Sequence, residues 1–96
     1  MKLLTIEPSS KPDKKLMAIF QTDSGRKKTT HFGAKGMDDY TITKDKEQRD
    51  RYRTRHAKDL HTGDPTRAGF LSMEILWGAS TSRAANISAY KKKHNL

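Results

Sequence analysis

The side chains best equipped for chemistry in this sequence are cations. Arg49, Arg51, Arg53, Arg55 and Lys58 follow one another at nearly alternate positions, Lys27 and Lys28 sit together, and Arg83, Asn86, Lys91, Lys92 and Lys93 crowd the C-terminal end. Guanidinium and ammonium groups bind phosphate oxygens and make affinity salt-dependent through counterion release. Asn and Arg can also hydrogen-bond the edges of bases. The candidate phosphate contacts are therefore Arg51, Arg55 and Lys58 in the central segment, Lys27 and Lys28, and the group Arg83, Asn86, Lys91, Lys92 and Lys93.

The acid and imidazole inventory is poorer. Asp38, Asp39, Glu47, Asp64 and Glu74 stand beside His31, His56, His61 and His94, and none falls at a metal-ligand or catalytic-triad spacing. His56 and His61 are five apart; no HExxH, glycine-rich phosphate loop or GxSxG run occurs. A metal-dependent nuclease using Asp38 or Asp39 with His56 is the one enzymatic alternative, and an acidic pair in a loop reads first as capping and turn chemistry. No catalytic residue, metal ligand or cofactor is assigned. With no cysteine, thiol catalysis, disulfides and Cys-zinc sites are excluded.

The charge is spread along the chain. Lys and Arg total 20 against 11 Asp and Glu, a formal +9 on 96 residues. Residues 1–40, 41–62 and 63–96 each contribute +3, so no detachable basic tail carries the excess. No apolar run is long enough to span a membrane, and the N-terminus lacks the apolar core of a signal peptide, so the chain is expected to be soluble and not secreted.

The elements that must position these groups read as one α+β domain over residues 1–96, a short antiparallel three-stranded sheet followed by three helices. Leu3, Leu4 and Ile6, then Leu16 to Phe20, then Lys27 to Phe32 predict a β-meander within residues 1–36, with Asp23-Ser24-Gly25 as a turn and Gly33 and Gly36 ending the third strand. A basic helix is expected over 43–61, capped by Thr43, with Arg49, Tyr52, His56 and Leu60 inward and Asp45–Arg49, Glu47–Arg51 and Arg55–Asp59 pairing on its flanks. Asp64-Pro65 predicts the start of an apolar helix running to Trp77, and Gly78 its C-terminal stop. A last helix, buried along Ala84, Ile87 and Tyr90, completes a helical hairpin over 65–94. The outline fits a helix-turn-helix, with Arg83, Asn86, Lys92 and Lys93 on the reading helix, but Glu74 stands where that motif wants a small residue, and an ordinary αα-hairpin is the preferred reading. Lys14, Lys15, Arg26, Lys27, Lys28 and Lys35 could form a basic rim beside His31 and Phe32, with few rings left for stacking. Phe70, Met73 and Trp77 look like more apolar surface than a small core can cover, which leaves homo-oligomer formation open.

The residues Phe32-Gly33, Gly36-Met37, Asp39-Tyr40-Thr41, Arg49, Tyr52, Arg55-His56, Pro65, Ala68-Gly69, Leu71-Ser72 and Ile75-Leu76-Trp77-Gly78 compose a pattern that resembles a family of small uncharacterised proteins of nucleocytoplasmic large DNA viruses. The resemblance covers roughly residues 30–92. It implies a setting, a virion or viral factory with viral structural proteins as partners, and no activity. Within this pattern Gly69, inside an apolar helix, costs about 1 kcal/mol relative to Ala, and close approach of another backbone would offset that. The expected function is non-enzymatic, sequence-independent binding of nucleic acid, DNA favoured over RNA, through phosphates. The alternative is a minor capsid or scaffold protein whose basic surface meets acidic protein partners. No membrane partner is expected.

Overall fold

The computed structural model describes all 96 residues. Three strands, β1 (Lys2–Pro8), β2 (Lys14–Gln21) and β3 (Lys27–Ala34), form an antiparallel sheet in chain order. Ala18 and Phe20 of β2 and Phe32 of β3 point to one face and are buried, while Met17 and Ile19 lie on the other face and are half-exposed. The spacing of Leu3 and Ile6 conflicts with strict alternation. A bulge at Leu4 resolves it: Leu3 pairs with Phe20 and Ile6 with Ala18, so both face the core and Leu4 turns outward.

Helices follow the sheet, as the pattern predicted, but the basic region is divided. Asp39 caps a single turn, α1 (Tyr40–Thr43), which Lys44 ends in a left-handed conformation at φ 58°. Asp45, not Thr43, then caps α2 (Lys46–Arg55), accepting from the amides of Glu47 and Gln48 at 3.0 and 3.1 Å. A 3₁₀ turn (Ala57–Leu60) follows. Asp64-Pro65 makes a turn in which the Asp64 carboxylate takes the Thr66 amide, and Lys28 and Thr30 of β3 bond to Thr66, so the next helix begins three residues later than predicted.

That helix, α3 (Ala68–Leu71), continues as a π turn (Ser72–Leu76) and is the centre of the core. The wider π winding lets Met73, Ile75, Leu76 and Trp77 all bury. Phe70, Met73 and Trp77 are covered within the chain, at 6, 1 and 6 % exposure. α4 (Arg83–Lys93), capped by Ser82, packs back on the π turn and closes the helical hairpin. Its inward residues are Asn86 and Tyr90, with Ile87 half-buried; Ala84, expected inside, is exposed. No helix is long and apolar enough to cross a membrane.

Two glycines are explained by space and not by the reasons expected. Gly78 is not left-handed; a Cβ there would strike the Glu74 carbonyl oxygen and the Asn86 side chain. Gly69 is approached by a side chain instead of a backbone, since a Cβ would stand 2.8 Å from Asp59 Cγ.

Candidate nucleic-acid interface

Two arginines of α2 are spent inside the molecule. The helical stripe that faces inward is Arg49, Tyr52, Arg53 and His56, at spacings of three, one and three. A π turn ends with carbonyls that have no amide partners. Arg53 Nη1 donates to the carbonyls of Met73 and Trp77 at 2.7 and 2.8 Å, and Arg49 Nε donates to that of Gly78 at 2.7 Å. Burial and the neighbouring Arg49 charge lower the Arg53 pKa, against the raising pull of Glu74 and Asp50.

None of the three expected flank pairs of the helix forms. Arg49 meets Asp50 instead of Asp45, and Asp59 faces His56 Nδ1 at 3.4 Å instead of Arg55. Arg51, Arg55 and Lys58 are exposed with no carboxylate within 4 Å, and Glu47 is exposed and unpaired as well. Only five of the chain's 20 Lys and Arg side chains form ion pairs.

A cleft of about 780 Å³ opens between this segment and the sheet end that carries Lys14. Arg55, His56 and Lys58 form one wall and Lys14 and Lys15 the other; Trp77 and Tyr52 lie at its base. Asp38 and Asp39 also border it, so four cations meet two carboxylates. Asp39 is already neutralised. Its carboxylate, 1 % exposed, takes Lys15 Nζ at 2.7 Å, Arg83 Nη2 at 3.2 Å and the amide of Thr41 at 2.8 Å. Burial by itself raises its pKa, but the hydrogen bonds from Lys15 and Thr41 and the charges of Lys15 and Arg83 outweigh it and hold the group below the usual carboxylate value. Asp39 joins β2, α1 and α4 and has no lone pair to spare for a metal. No three His, Asp or Glu side chains stand together in metal-binding range.

The aromatic residues form a column. Tyr52 stacks on Trp77 with ring centroids 4.1 Å apart and planes 7° apart, and on His56 at 4.2 Å and 24°. Burial, with the Asp59 charge, pushes the Tyr52 phenol up and keeps it neutral.

Of the candidate contacts read from sequence, the structure brings Arg55 and Lys58 together in the cleft, and Arg51 lies beside them on α2, sharing a shallow depression with Arg55. Lys27, Lys91 and Lys92 are exposed elsewhere. Asn86 is a correction. It is 3 % exposed, donates to the carbonyls of Ile75 and Ser80 and accepts from the Ser80 amide, so it fastens the turn between α3 and α4 and cannot reach a base. Arg83 is held by Asp39 and Thr41, Lys28 by Thr66 and Lys93 by Glu74. The basic rim on the sheet is also split: antiparallel pairing sets Lys14 opposite Ala34 and Lys27 opposite Gln21, at ends of β2 about 23 Å apart. Phe32 is 1 % exposed and offers no stacking face, and His31 Nδ1 is hydrogen-bonded with the Ser9 hydroxyl. Lys14, expected only in the basic rim of the sheet, and His56, expected inward or as the partner of Asp38 or Asp39, line the cleft with Arg55 and Lys58; the strand register that faces Lys14 across to α2 has no local signal.

No curated protein and no solved structure matches the chain. A family model, described as a family of unknown function, matches residues 4–56, which takes in the sheet apart from the first two residues of β1, α1, α2 and, of the cleft walls, Lys14, Lys15, Arg55 and His56. The chain belongs to this family of unknown function, DUF5754.

Proposed function

We propose that this protein binds nucleic acid through phosphate contacts, without reading sequence and without turnover, and that Lys14, Arg55, Lys58 and Arg51 carry the contacts. The observation that supports it most is the freedom of the cations on α2 and the 3₁₀ turn after it. Intrahelical pairing would have made Arg51, Arg55 and Lys58 a solvated, self-neutralised face; the acids that could pair with them are committed elsewhere or stand apart. Across the cleft Lys14 adds a cation on a rigid strand end, so a phosphate backbone lying in the groove meets positive charge on both walls. The groups that could read bases from α4 are spent on the fold: Asn86 is buried and Arg83 is engaged with Asp39. That supports contact with the backbone over recognition of sequence. The proposed setting, a virion or viral factory, rests on the residue pattern across 30–92.

The test is titration of fluorescently labelled oligonucleotides, duplex and single-stranded, at about 50 and 200 mM salt. Binding that weakens steeply with salt and is indifferent to sequence is expected. No binding at low salt overturns the proposal and turns attention to acidic protein partners.

A further inference from the structure

The column Trp77–Tyr52–His56 has one closed end and one open end. Two rings at 4.1 and 4.2 Å from the same ring, both stacked, cannot share a face of it, so Trp77 and His56 cover opposite faces of Tyr52. Trp77, at 6 % exposure, is sealed in the core. His56 ends the column at the cleft, its side chain 41 % exposed. Arg55 and Lys58 flank it on the same wall, and Lys14 faces them. The imidazole is thus a flat surface backed by two further rings, with Arg55, Lys58 and Lys14 around it and the Asp59 carboxylate 3.4 Å from its Nδ1.

From this geometry we infer that His56 is a stacking platform for an unpaired base, so that the ligand of the cleft is single-stranded nucleic acid. The inference rests on the nucleic-acid reading above and deepens it. Every base has a π-face, so stacking on His56 adds affinity without sequence preference, while the phosphates on either side of the stacked base meet Arg55 and Lys58. A duplex cannot use the platform unless a base leaves its stack, which costs energy the cleft does not return. The preference for single strands therefore comes from one ring, and the salt dependence from its neighbours. Of the two carboxylates that line the cleft, Asp38 forms no ion pair, and Asp59 stands beside His56 at its Nδ1.

The experiment compares two labelled strands of equal length and equal phosphate number, an oligothymidine and an abasic backbone, titrated by fluorescence anisotropy with the wild-type protein, His56→Ala and His56→Phe. Wild type is expected to bind the oligothymidine about thirtyfold tighter than the abasic strand, the middle of the range that base stacking provides. His56→Ala should erase that difference, and His56→Phe, which keeps a flat ring, should retain it. Thermal unfolding of each variant checks that the column has not collapsed, and the wild-type comparison of the two strands needs no variant at all. Equal wild-type affinity for both strands overturns the platform while leaving phosphate binding intact. Failure to bind either strand overturns the nucleic-acid reading and the platform together. A preference for base-bearing strands that survives in a folded His56→Ala protein places stacking elsewhere and overturns the assignment to His56.

Discussion

Replacing Asp39 with Asn tests the joint on which the cleft is built. The carboxylate is 1 % exposed and holds two cations, of which Lys15 is 11 % exposed and Arg83 37 %. Asn keeps the shape and one acceptor for the Thr41 amide, so the loss is mainly electrostatic. Breaking a buried pair by removing one partner costs about 3–5 kcal/mol because the other charge stays buried and uncompensated. Lys15 meets that condition; Arg83, with more than a third of its side chain in water, adds little. The expected loss is about 3 kcal/mol, against a total stability of about 5–14 kcal/mol for a chain of this length. The sign with pH follows from the lowered pKa of Asp39. A carboxyl group whose folded pKa lies below its unfolded value of 3.8 stabilises the native state above that value, and the contribution is lost as pH falls through the folded pKa. Urea unfolding followed by Trp77 fluorescence at pH 7 and at successive steps below pH 4 should show the gap between wild type and Asp39→Asn closing in acid. A loss below about 1 kcal/mol at pH 7, or a gap that does not change with pH, refutes the view that Asp39 acts as a charged hub.

Three further outcomes follow from other parts of the structure. Arg53→Met, which keeps the aliphatic stem but leaves the carbonyls of Met73 and Trp77 without donors, should cost about 3–6 kcal/mol in chemical unfolding, since hydrogen bonds to charged groups contribute about 1.5–3 kcal/mol each. Lys44→Gly should stabilise the protein by about 0.5–1 kcal/mol, because Lys44 ends α1 at φ 58°, where a Cβ is unfavourable; the same unfolding curves report it. His94 has a buried Nε2 with no hydrogen-bond partner, and burial lowers its pKa below the ordinary 6.5. With the folded pKa depressed, stability is complete above the unfolded value and falls as pH drops through it, so stability should decline from pH 7 to pH 5 and His94→Phe should flatten that decline.

The sheet was readable because its signals are local: Leu16 to Phe20 supplies a buried face and Asp23-Ser24-Gly25 a turn. The helical hairpin was readable for the same reason, from the density of apolar residues between Phe70 and Trp77. The basic helix was misread where competing caps decide the outcome. Thr43 and Asp45 are both capable N-caps, and Asp39, by capping first, uses up the chain to Thr43 and leaves the second start to Asp45. Spacing likewise suggested Arg–Asp pairs at i,i+4, whose contribution of about 0.2–0.5 kcal/mol is easily outbid by the bonds that Arg49 and Arg53 make to backbone carbonyls. Asn86 looked like a base reader because its type permits it. Only the turn at Gly78 to Ser80, whose polar backbone groups need partners, reveals why an Asn is buried there. The cleft was partly legible, through Arg55 and Lys58, and partly not, because Lys14 and His56 meet across 42 residues of sequence.

The central claim is that the cleft carries the phosphate contacts, and the salt dependence of binding measures it most directly. Affinity for a labelled single strand over a range of salt should give a log–log slope that drops by about 0.7 for each phosphate contact removed. Arg55→Gln with Lys58→Gln should therefore reduce the slope by about 1.4, while Lys2→Gln with Arg26→Gln, equal in charge but at the far end of the sheet from Lys14, should leave it unchanged. Equal reductions from both pairs would contradict the account, since they would mean that diffuse net charge, and not this cleft, holds the nucleic acid.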